Sequence, residues 1–341
     1  MLIAATHMHP ALLRPETSTS FDALADSVLA GDAIERPEAA AVLGAADDDL
    51  AAVLHAAFRV RERHHGRRVK LCQLRNARSG LCPEDCHYCS QSAISDAAIP
   101  RYRLDSVPEL LAGARRAVAS GARRYCMVTS GRGPSQNDIA RFTGAARAIK
   151  AEFPHLELCV SLGIMGETEA HELKAAGVGW VNHNLNTSQR FHPQICTTHS
   201  YEDRINTVRS VQTAGLHTCC GGIIGMGETD DDIIDLAFAL RELHVDSLPL
   251  NFLIPIDGTP FSEKRELTPG RCLRALCLMR FTNPASEIRV AGGREGNLGW
   301  FQPLALYPAN SIFVDGYLTT PGQASTEAHR MVAEMGFEIE A

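Results

Sequence analysis

The run Lys70-Leu-Cys-Gln-Leu-Arg-Asn-Ala77 and the segment after it, Gly80-Leu-Cys-Pro-Glu-Asp-Cys-His-Tyr-Cys89, decide the fold of this chain. The first is one of several short runs, rich in apolar residues, that alternate along the chain with helical segments. That alternation is typical of βα units around a parallel sheet. Eight strands are predicted, at residues 70–77, 124–130, 157–164, 180–186, 217–226, 246–255, 287–292 and 310–316.

Helix signals fall between these strands. Ser106 with Glu109 three residues later forms a capping-box pattern, and Gly121 and Gly215 stand where helices should end. Eight strands separated by helices predict an α/β fold of the (β/α)8 TIM-barrel type. An open doubly wound sheet is the alternative. It would show a G-x-G-x-x-G turn after the first strand, where this chain has Gly80-Leu-Cys-Pro instead.

The residues before the first strand predict an N-terminal helical extension. Residues 21–65 contain Ala- and Leu-rich helical patches on either side of Gly44. Residues 1–18 are predicted to be a flexible tail. Because no shift in composition marks a second domain, residues 19–341 are predicted to form one barrel domain that includes these helices.

Composition restricts the classes of function. The chain has 341 residues, of which 45% are hydrophobic, enough for a large core. Its net charge of −7 argues against general nucleic-acid binding. No run of about 18 apolar residues predicts a membrane span, and the N-terminus lacks a secretory pattern, so a cytoplasmic protein is expected. Eleven cysteines cannot all pair with one another, which favours metal binding or catalysis over disulfides.

The strongest chemical signal is the C-x3-C-x2-C triplet of Cys82, Cys86 and Cys89. It follows the first strand, so in a barrel it lies on the C-terminal face, where active sites lie. Three thiolates this close can hold one metal centre. A zinc site would need a fourth protein ligand, for which His87 is the nearby candidate. A four-iron cluster held by three cysteines would keep one iron open for catalysis.

Asparagines in the fourth predicted strand suggest a polar barrel interior. Side chains alternate across a strand, so Asn182, Asn184 and Asn186 would share one face. Three amides on one face cannot all be buried without hydrogen-bond partners. We therefore expect this face to hold a ligand.

Four further strands carry a residue that is unusual for a plain core, namely Cys126, Cys159, Cys219 and Arg289. Taken singly, each has a simple structural explanation, because a strand cysteine behaves as a small hydrophobe and a strand arginine pairs with a carboxylate. If all four point inward, they converge from four strands. Together with the cysteine triplet above them, they favour a second cluster.

The triplet, with Tyr88 directly before its third cysteine, resembles the signature of radical S-adenosylmethionine (SAM) enzymes. The resemblance implies that Cys82, Cys86 and Cys89 hold a [4Fe-4S] cluster whose fourth iron is chelated by SAM. It also implies that reduction of this cluster cleaves SAM to a 5′-deoxyadenosyl radical. Tyr88 would lie against the adenine.

Longer runs resemble, more narrowly, the biotin synthase family. They include YCMVTSGRGPS, CCGGIIGMGET, NFLIPIDGTP and RVAGGRE, and the similarity extends from about residue 50 to the C-terminus. The resemblance implies an enzyme that inserts sulfur into dethiobiotin in the last step of biotin synthesis. A [2Fe-2S] cluster held by Cys126, Cys159, Cys219 and Arg289 would be the sulfur donor and would be consumed.

The same resemblance implies the positions of the organic ligands and the partners. The residues expected at SAM are Tyr88, Asn184, Asn186, Arg204 and Ile223, and those at the dethiobiotin ureido ring are Asn182, Asn184 and Asn251. An external electron donor of the flavodoxin or ferredoxin type and a homodimer are also implied. Asn186 departs from the pattern, since some family members carry Asp there.

Five cysteines are left without a ligand role. Cys272 and Cys277 lie in a helical segment and are predicted core residues. Cys220 should face away from Cys219 because neighbouring strand residues alternate. Cys72 and Cys196 have no role that the sequence supports.

Two other functions are compatible with part of the pattern. A different radical SAM enzyme, such as a maturase, mutase or lyase, would keep the triplet but would not need the inner Cys/Cys/Cys/Arg set. A non-enzymatic iron–sulfur or metal-binding scaffold would need neither the asparagines nor the Gly221-x-Ile223-x-Gly225 motif.

Overall fold

Parallel strands close into a barrel in the computed structural model, which describes residues 20–340. The barrel strands are β1 (Arg68–Arg78), β2 (Arg124–Thr129), β3 (Glu157–Ser161), β4 (Trp180–Asn182), β5 (His217–Cys219), β6 (Gly222–Ile224), β7 (Ser247–Phe252), β8 (Glu287–Val290) and β9 (Ser311–Val314). Neighbours pair in parallel in chain order, with β5 and β6 sharing one position, and β9 pairs with β1 to close the ring. The predicted (β/α)8 barrel is therefore confirmed.

Helices surround the strands. They are α1 (Phe21–Ala30), α2 (Arg36–Leu43), α3 (Leu50–His65), α4 (Val107–Ala119), α5 (Gln136–Glu152), α6 (Glu167–Ala175), α7 (Tyr201–Thr213), α8 (Asp230–Glu242), α9 (Pro269–Thr282), α10 (Arg294–Leu298) and α11 (Ser325–Glu334). Short 3₁₀ turns occupy Asp47–Asp49, His192–Gln194 and Gly299–Leu306. The capping box before α4 is present, since the Ser106 amide donates to Glu109 Oε2 over 2.7 Å. Gly121 and Gly215 both have positive φ just after helices end, as predicted.

The N-terminal extension is helical, as predicted. Helix α1 packs on α3, while α2 and α3 pack on α9 outside the barrel. Val53, Ala56 and Val60 of α3 are fully buried in this contact. The predicted tail at residues 1–18 lies outside the described residues. Among the helices of residues 20–340, none has both the length and the apolar character that crossing a bilayer requires.

Seven of the eight predicted strands end before their predicted last residue, and the fourth and fifth differ most from the prediction. The fourth ends at Asn182, and Asn186 beyond it adopts a left-handed φ of 71°, which breaks the alternation of side chains. The prediction that Asn182, Asn184 and Asn186 share a strand face is therefore wrong for the last two. The fifth predicted strand is divided into β5 and β6 at Gly221. The sequence analysis also missed a final strand, β10 (Glu338–Ile339), which pairs with the start of β1.

The division at Gly221 depends on the absence of a side chain. A Cβ on Gly221 would lie 2.0 Å from the carbonyl oxygen of Pro249 in β7. We expect Gly221→Ala to lower the free energy of unfolding by about 1–3 kcal/mol, because backbone atoms must move apart. Gly179→Ala is the matched control, since nothing lies within 4 Å of its Cβ position. Denaturant titration of both variants measures the difference, and equal costs would contradict this explanation.

Candidate active site

A cavity of about 290 Å³ lies at the carboxyl ends of the barrel strands. It is lined partly by the segments after the strands and partly by strand residues deeper in the barrel. The predicted site residues that line it are Cys82, Cys86, Tyr88, Cys89, Cys126, Cys159, Asn182, Asn184, Asn186, Arg204, Ile223, Asn251 and Arg289. Cys219 is the one predicted residue outside the lining, and it lies directly behind Asn182, whose Nδ2 is 3.5 Å from its Sγ.

The cysteine triplet lies in the loop between β1 and α4. The His87 amide donates to the Ile195 carbonyl over 3.0 Å and ties the loop to a neighbouring segment, and the Cys89 amide donates to the Cys86 carbonyl within the loop over 3.1 Å. Cys86 is buried, whereas Cys82 and Cys89 are half-buried. Burial raises the pKa of Cys89 to about 11, so a metal bound there would have to displace a proton.

His87 does not join the three thiols. Its ring packs edge-on against Phe261 with centroids 5.5 Å apart, and it is not among the residues that line the cavity. The tetrahedral zinc site that His87 would complete therefore has no support in the geometry. The three cysteines line the cavity together without His87, which agrees with a cluster held by three cysteines.

Arg204, on α7, brings a positive charge into the cavity. It is 6% exposed, and its Nη1 donates to the Asn184 carbonyl over 2.8 Å. With the Asn186 amide oxygen facing inward, that oxygen accepts from Tyr88 Oη at 2.5 Å and from Arg204 Nη1 at 3.2 Å. Within residues 20–340, Arg204 forms no ion pair with a carboxylate. A buried guanidinium is costly without an anion, so this end of the cavity is suited to an anionic ligand group.

The side chains of Asn182 and Asn184 are joined by a hydrogen bond. Asn182 Nδ2 donates to Asn184 Oδ1 and to the Cys219 carbonyl, both over 3.0 Å. Asn184 Oδ1 also accepts from the Gly221 amide over 3.1 Å. In the described part of the chain, this leaves Asn182 Oδ1 and Asn184 Nδ2 without protein partners. One acceptor and one donor, fixed side by side, therefore remain for a ligand.

Asn251, on β7, is already engaged with the backbone. Its Nδ2 donates to the Gly222 carbonyl over 3.0 Å, and its Oδ1 accepts from the Gly292 amide over 2.9 Å. An amide has two donors and two acceptor sites, so one of each is still free for a ligand. Asn251 thus joins β6 to the segment after β8 as well as lining the cavity.

The glycines of the Gly221-x-Ile223-x-Gly225 motif approach protein atoms closely. A Cβ on Gly225 would lie 2.6 Å from the Leu267 side chain, and Gly225 has a φ of 94°. The carboxylate of Glu228 accepts from the amides of Gly225 and Met226, both over 2.7 Å, and fixes the turn. Ile223 is the member of the motif that faces the cavity.

The inner predicted residues come together inside the barrel. Cys126 and Cys159 are register partners on β2 and β3, and Arg289 Nη1 lies 3.4 Å from Cys219 Sγ. All four are at most 5% exposed. Hydrogen bonding from the Cys159 thiol lowers the pKa of Cys219 to about 5; burial opposes this and the charge of Arg289 assists it. Buried thiols beside a guanidinium form a donor set that fits a cluster.

A charge network missed by the sequence analysis supports the inner set. Glu287, on β8, accepts from Arg124 Nη1 and Nη2, both over 3.0 Å, and also contacts the guanidinium of Arg289. Lys70 joins it from β1, with Nζ 3.4 Å from Glu287 Oε2. Burial raises the pKa of Glu287, but Arg124 and Arg289 outweigh it and hold that pKa below its ordinary range. The sequence did carry one sign of this network, because Glu287 and Arg289 are two residues apart on one strand and therefore lie on the same face.

Loss of the Glu287 charge should be costly. We expect Glu287→Gln to lower the free energy of unfolding by about 3–5 kcal/mol. The change leaves the buried Arg289 guanidinium without its carboxylate and takes one of two carboxylates from Arg124, which keeps Glu157. Glu340→Gln is the control: its carboxylate lies 3.5 Å from Lys70 Nζ but is 31% exposed, so about 1 kcal/mol or less is expected. Denaturant titration measures the free energy of unfolding of both variants. A similar loss in both would show that Glu287 does not balance the charges of the buried guanidinium groups.

The remaining cysteines fall in three environments. Cys220, Cys272 and Cys277 are fully buried in the apolar layer between barrel and helices, as predicted for each. Cys72 lies inside the barrel, 3.5 Å from Ser311 Oγ. Cys196 lies in the cysteine loop region, 3.8 Å from Cys86 Sγ. The sequence analysis also missed His183, which lines the cavity with a buried Nε2 that has no partner within residues 20–340.

A closed parallel barrel with a C-x3-C-x2-C loop beyond its first strand defines a radical SAM enzyme. Comparison with known families agrees: residues 78–240 match the profile of the Radical SAM superfamily, and residues 249–338 match that of the Biotin and Thiamin Synthesis associated domain. Biotin synthase of Bacillus subtilis (strain 168) is 50% identical over 93% of this chain and 95% of its own. Biotin synthase of Rhodopirellula baltica is 48% identical over 94% and 89%. The chain belongs to the biotin synthase family.

Solved structures of more distant proteins share the fold. Methylornithine synthase superposes with a TM-score of 0.82 at 19% identity, covering 93% of this chain and 97% of its own. The FeFe-hydrogenase maturase from Carboxydothermus hydrogenoformans gives a TM-score of 0.79 at 16% identity, covering 94% and 79%. At such identities the likeness concerns the barrel alone.

Proposed function

We propose that this protein converts dethiobiotin to biotin by radical SAM chemistry, with a second cluster as the source of sulfur. One observation carries the proposal: a single cavity presents two separate sulfur sets, the triplet beyond the strands and the inner thiols within them. A radical SAM enzyme without sulfur insertion would not need the inner set. Membership of the biotin synthase family supports the same reaction.

The outer end of the cavity is proposed to bind SAM. Cys82, Cys86 and Cys89 would hold a [4Fe-4S] cluster, which when bound supplies the electron that cleaves SAM. Arg204 would pair with the SAM carboxylate, a proposal supported by its burial without a protein anion. Tyr88 would lie against the adenine, and Asn186, which accepts from Tyr88 Oη, would also face the ribose.

The middle of the cavity is proposed to bind dethiobiotin. Its ureido group has a carbonyl acceptor and two N–H donors, which complement Asn184 Nδ2 and Asn182 Oδ1. Asn251, on β7, would add a further contact while keeping its backbone bonds. Enclosure within the barrel keeps a carbon radical from side reactions.

The inner end is proposed to hold the sulfur-bearing substrate, a [2Fe-2S] cluster. Cys126, Cys159 and Cys219 would be its thiolate ligands and Arg289 its fourth. The guanidinium is fixed in place by hydrogen bonds from Nε to Ser311 Oγ over 3.1 Å and from Nη2 to Ser247 Oγ over 3.2 Å. Such supporting bonds orient a ligand as the outer shell of a metal site does.

We also propose that residues 19–341 act as one domain, in the cytoplasm, as a homodimer served by a flavodoxin- or ferredoxin-type donor. The packing of α2 and α3 on α9 supports the single domain. The eleven free cysteines support a reducing compartment. The donor class and the homodimer rest on the family resemblance.

An anaerobic single-turnover assay tests the proposal. Protein reconstituted with iron and sulfide receives SAM, a low-potential reductant and dethiobiotin, and mass spectrometry identifies the products. Biotin together with 5′-deoxyadenosine is the expected result. Deoxyadenosine alone, from protein with both clusters verified, would reject dethiobiotin as substrate. Neither product, despite verified iron content, would reject radical SAM chemistry.

A further inference from the structure

Three buried metal-binding side chains meet beside the triplet: Cys86, Cys196 and His199. Cys86 Sγ lies 3.8 Å from Cys196 Sγ, and Cys196 Sγ lies 3.3 Å from His199 Nδ1. The three ligand atoms are all within 4.8 Å of one another. They come from two loops, one after β1 and one before α7, that close over the same end of the barrel.

The distances fit a mononuclear metal site. Two thiolates on a tetrahedral Zn²⁺, at the usual Zn–S length, are separated by about 3.75 Å, and a thiolate and an imidazole nitrogen by about 3.5 Å. The observed separations of 3.8 and 3.3 Å are close to both values. Because the Cys86 and His199 ligand atoms are also within 4.8 Å of each other, movement of the side chains would let the three atoms surround one small cation.

Carboxylates border the same site. Asp85 Oδ1 lies 3.1 Å from Cys196 Sγ, and Glu84, which is 5% exposed, contacts His199 Nδ1. The fourth position of a tetrahedral cation could be filled by one of these oxygens or by water. Two thiolates, an imidazole and an oxygen form a donor set that suits zinc-like ions rather than Mg²⁺ or Ca²⁺.

We propose that the cluster-free chain binds one thiophilic divalent cation of the Zn²⁺ class through Cys86, Cys196 and His199. The site itself does not require the proposed function. Its consequence does, because Cys86 is also a ligand of the proposed [4Fe-4S] cluster. The cation and the cluster therefore exclude each other, and the cation keeps the two loops together until the cluster is built.

The site is tested with Co²⁺ as a spectroscopic probe. The metal-free, reduced Cys82→Ala/Cys89→Ala chain cannot bind metal through the triplet but retains all three proposed ligands. We expect it to bind one more equivalent of Co²⁺, with tetrahedral thiolate bands that Zn²⁺ abolishes, than the same chain carrying Cys196→Ala or His199→Ala. The inner thiols are present in all variants, so any Co²⁺ that they bind contributes equally to every spectrum and does not affect the difference. As a control, Cys277→Ala is added to the same Cys82→Ala/Cys89→Ala chain. Because Cys277 lies in α9, away from the proposed site, this change should leave the bands unchanged.

Identical Co²⁺ spectra with and without Cys196 would overturn the site. The competition is tested separately in the wild-type chain, where Zn²⁺ added before reconstitution should reduce the iron bound at the triplet to a small fraction. Cys196→Ala should resist this effect. Equal suppression in both would overturn the exclusion. Failure of the untreated wild type to form a cluster would count against the proposed function alone, since the Co²⁺ result does not depend on it.

Discussion

The Cys82→Ala protein, reconstituted with iron and sulfide, is expected to lose 5′-deoxyadenosine formation by on the order of a thousandfold or more. Ligands of one cluster act as a unit, and removing one member removes nearly the whole function. Biotin formation should fall with it, because no radical is made. Cys82 is half-buried at the outer edge of the cavity, so its loss should leave the inner thiols and the fold intact.

The measurement is single-turnover product analysis with Mössbauer spectroscopy of the same sample. We expect the signal of the four-iron cluster to disappear while that of the inner cluster stays. Cys277→Ala is the control, because it removes an equally small thiol from the α9 core, far from both sets. SAM cleavage at the wild-type rate in Cys82→Ala would show that the triplet does not hold the catalytic cluster.

The fold was predictable because its signals are local. Capping boxes, glycines at helix ends and the alternation of runs each act over a few residues, and they agree with the closed barrel. The errors occur where a distant contact decides the backbone. Gly221 is placed by the carbonyl of Pro249, and Asn186 leaves the strand conformation in a region that Tyr88 and Arg204 also contact. β10 pairs with Arg68 and Val69, which lie 270 residues earlier in the chain.

The site residues were predictable where a sequence motif identifies them by residue type and spacing. The triplet does so directly, and the resemblance to a family placed Arg204 and Arg289 at positions that do line the cavity. Spacing says little about which groups surround a buried residue. The contacts of Glu287 with Arg124 and of Cys196 with Cys86 join residues from separate strands or loops. Such pairs come together only when the barrel closes.

Two neighbouring cysteines, Cys219 at the end of β5 and Cys220 directly after it, give the sharpest test of the inner cysteines as cluster ligands. Cys219 and Cys220 are 1% and 0% exposed, and each becomes alanine with the loss of one sulfur atom. Cys219 Sγ faces Arg289 and Asn182 inside the barrel, whereas Cys220 packs in the apolar layer outside it. Comparable costs in stability, of about 1 kcal/mol, are expected for the two substitutions.

Their effects on product should differ sharply. We expect Cys219→Ala to form 5′-deoxyadenosine but to lose biotin by on the order of a hundredfold or more, since the sulfur source cannot be held. Cys220→Ala should give biotin within a few-fold of wild type. Single-turnover assays on both proteins, with inner-cluster content measured by spectroscopy, make the comparison. Because position, burial and atom loss are matched, a biotin yield that fell equally in both would mean that packing of this strand, and not a thiolate aimed into the barrel, controls sulfur insertion.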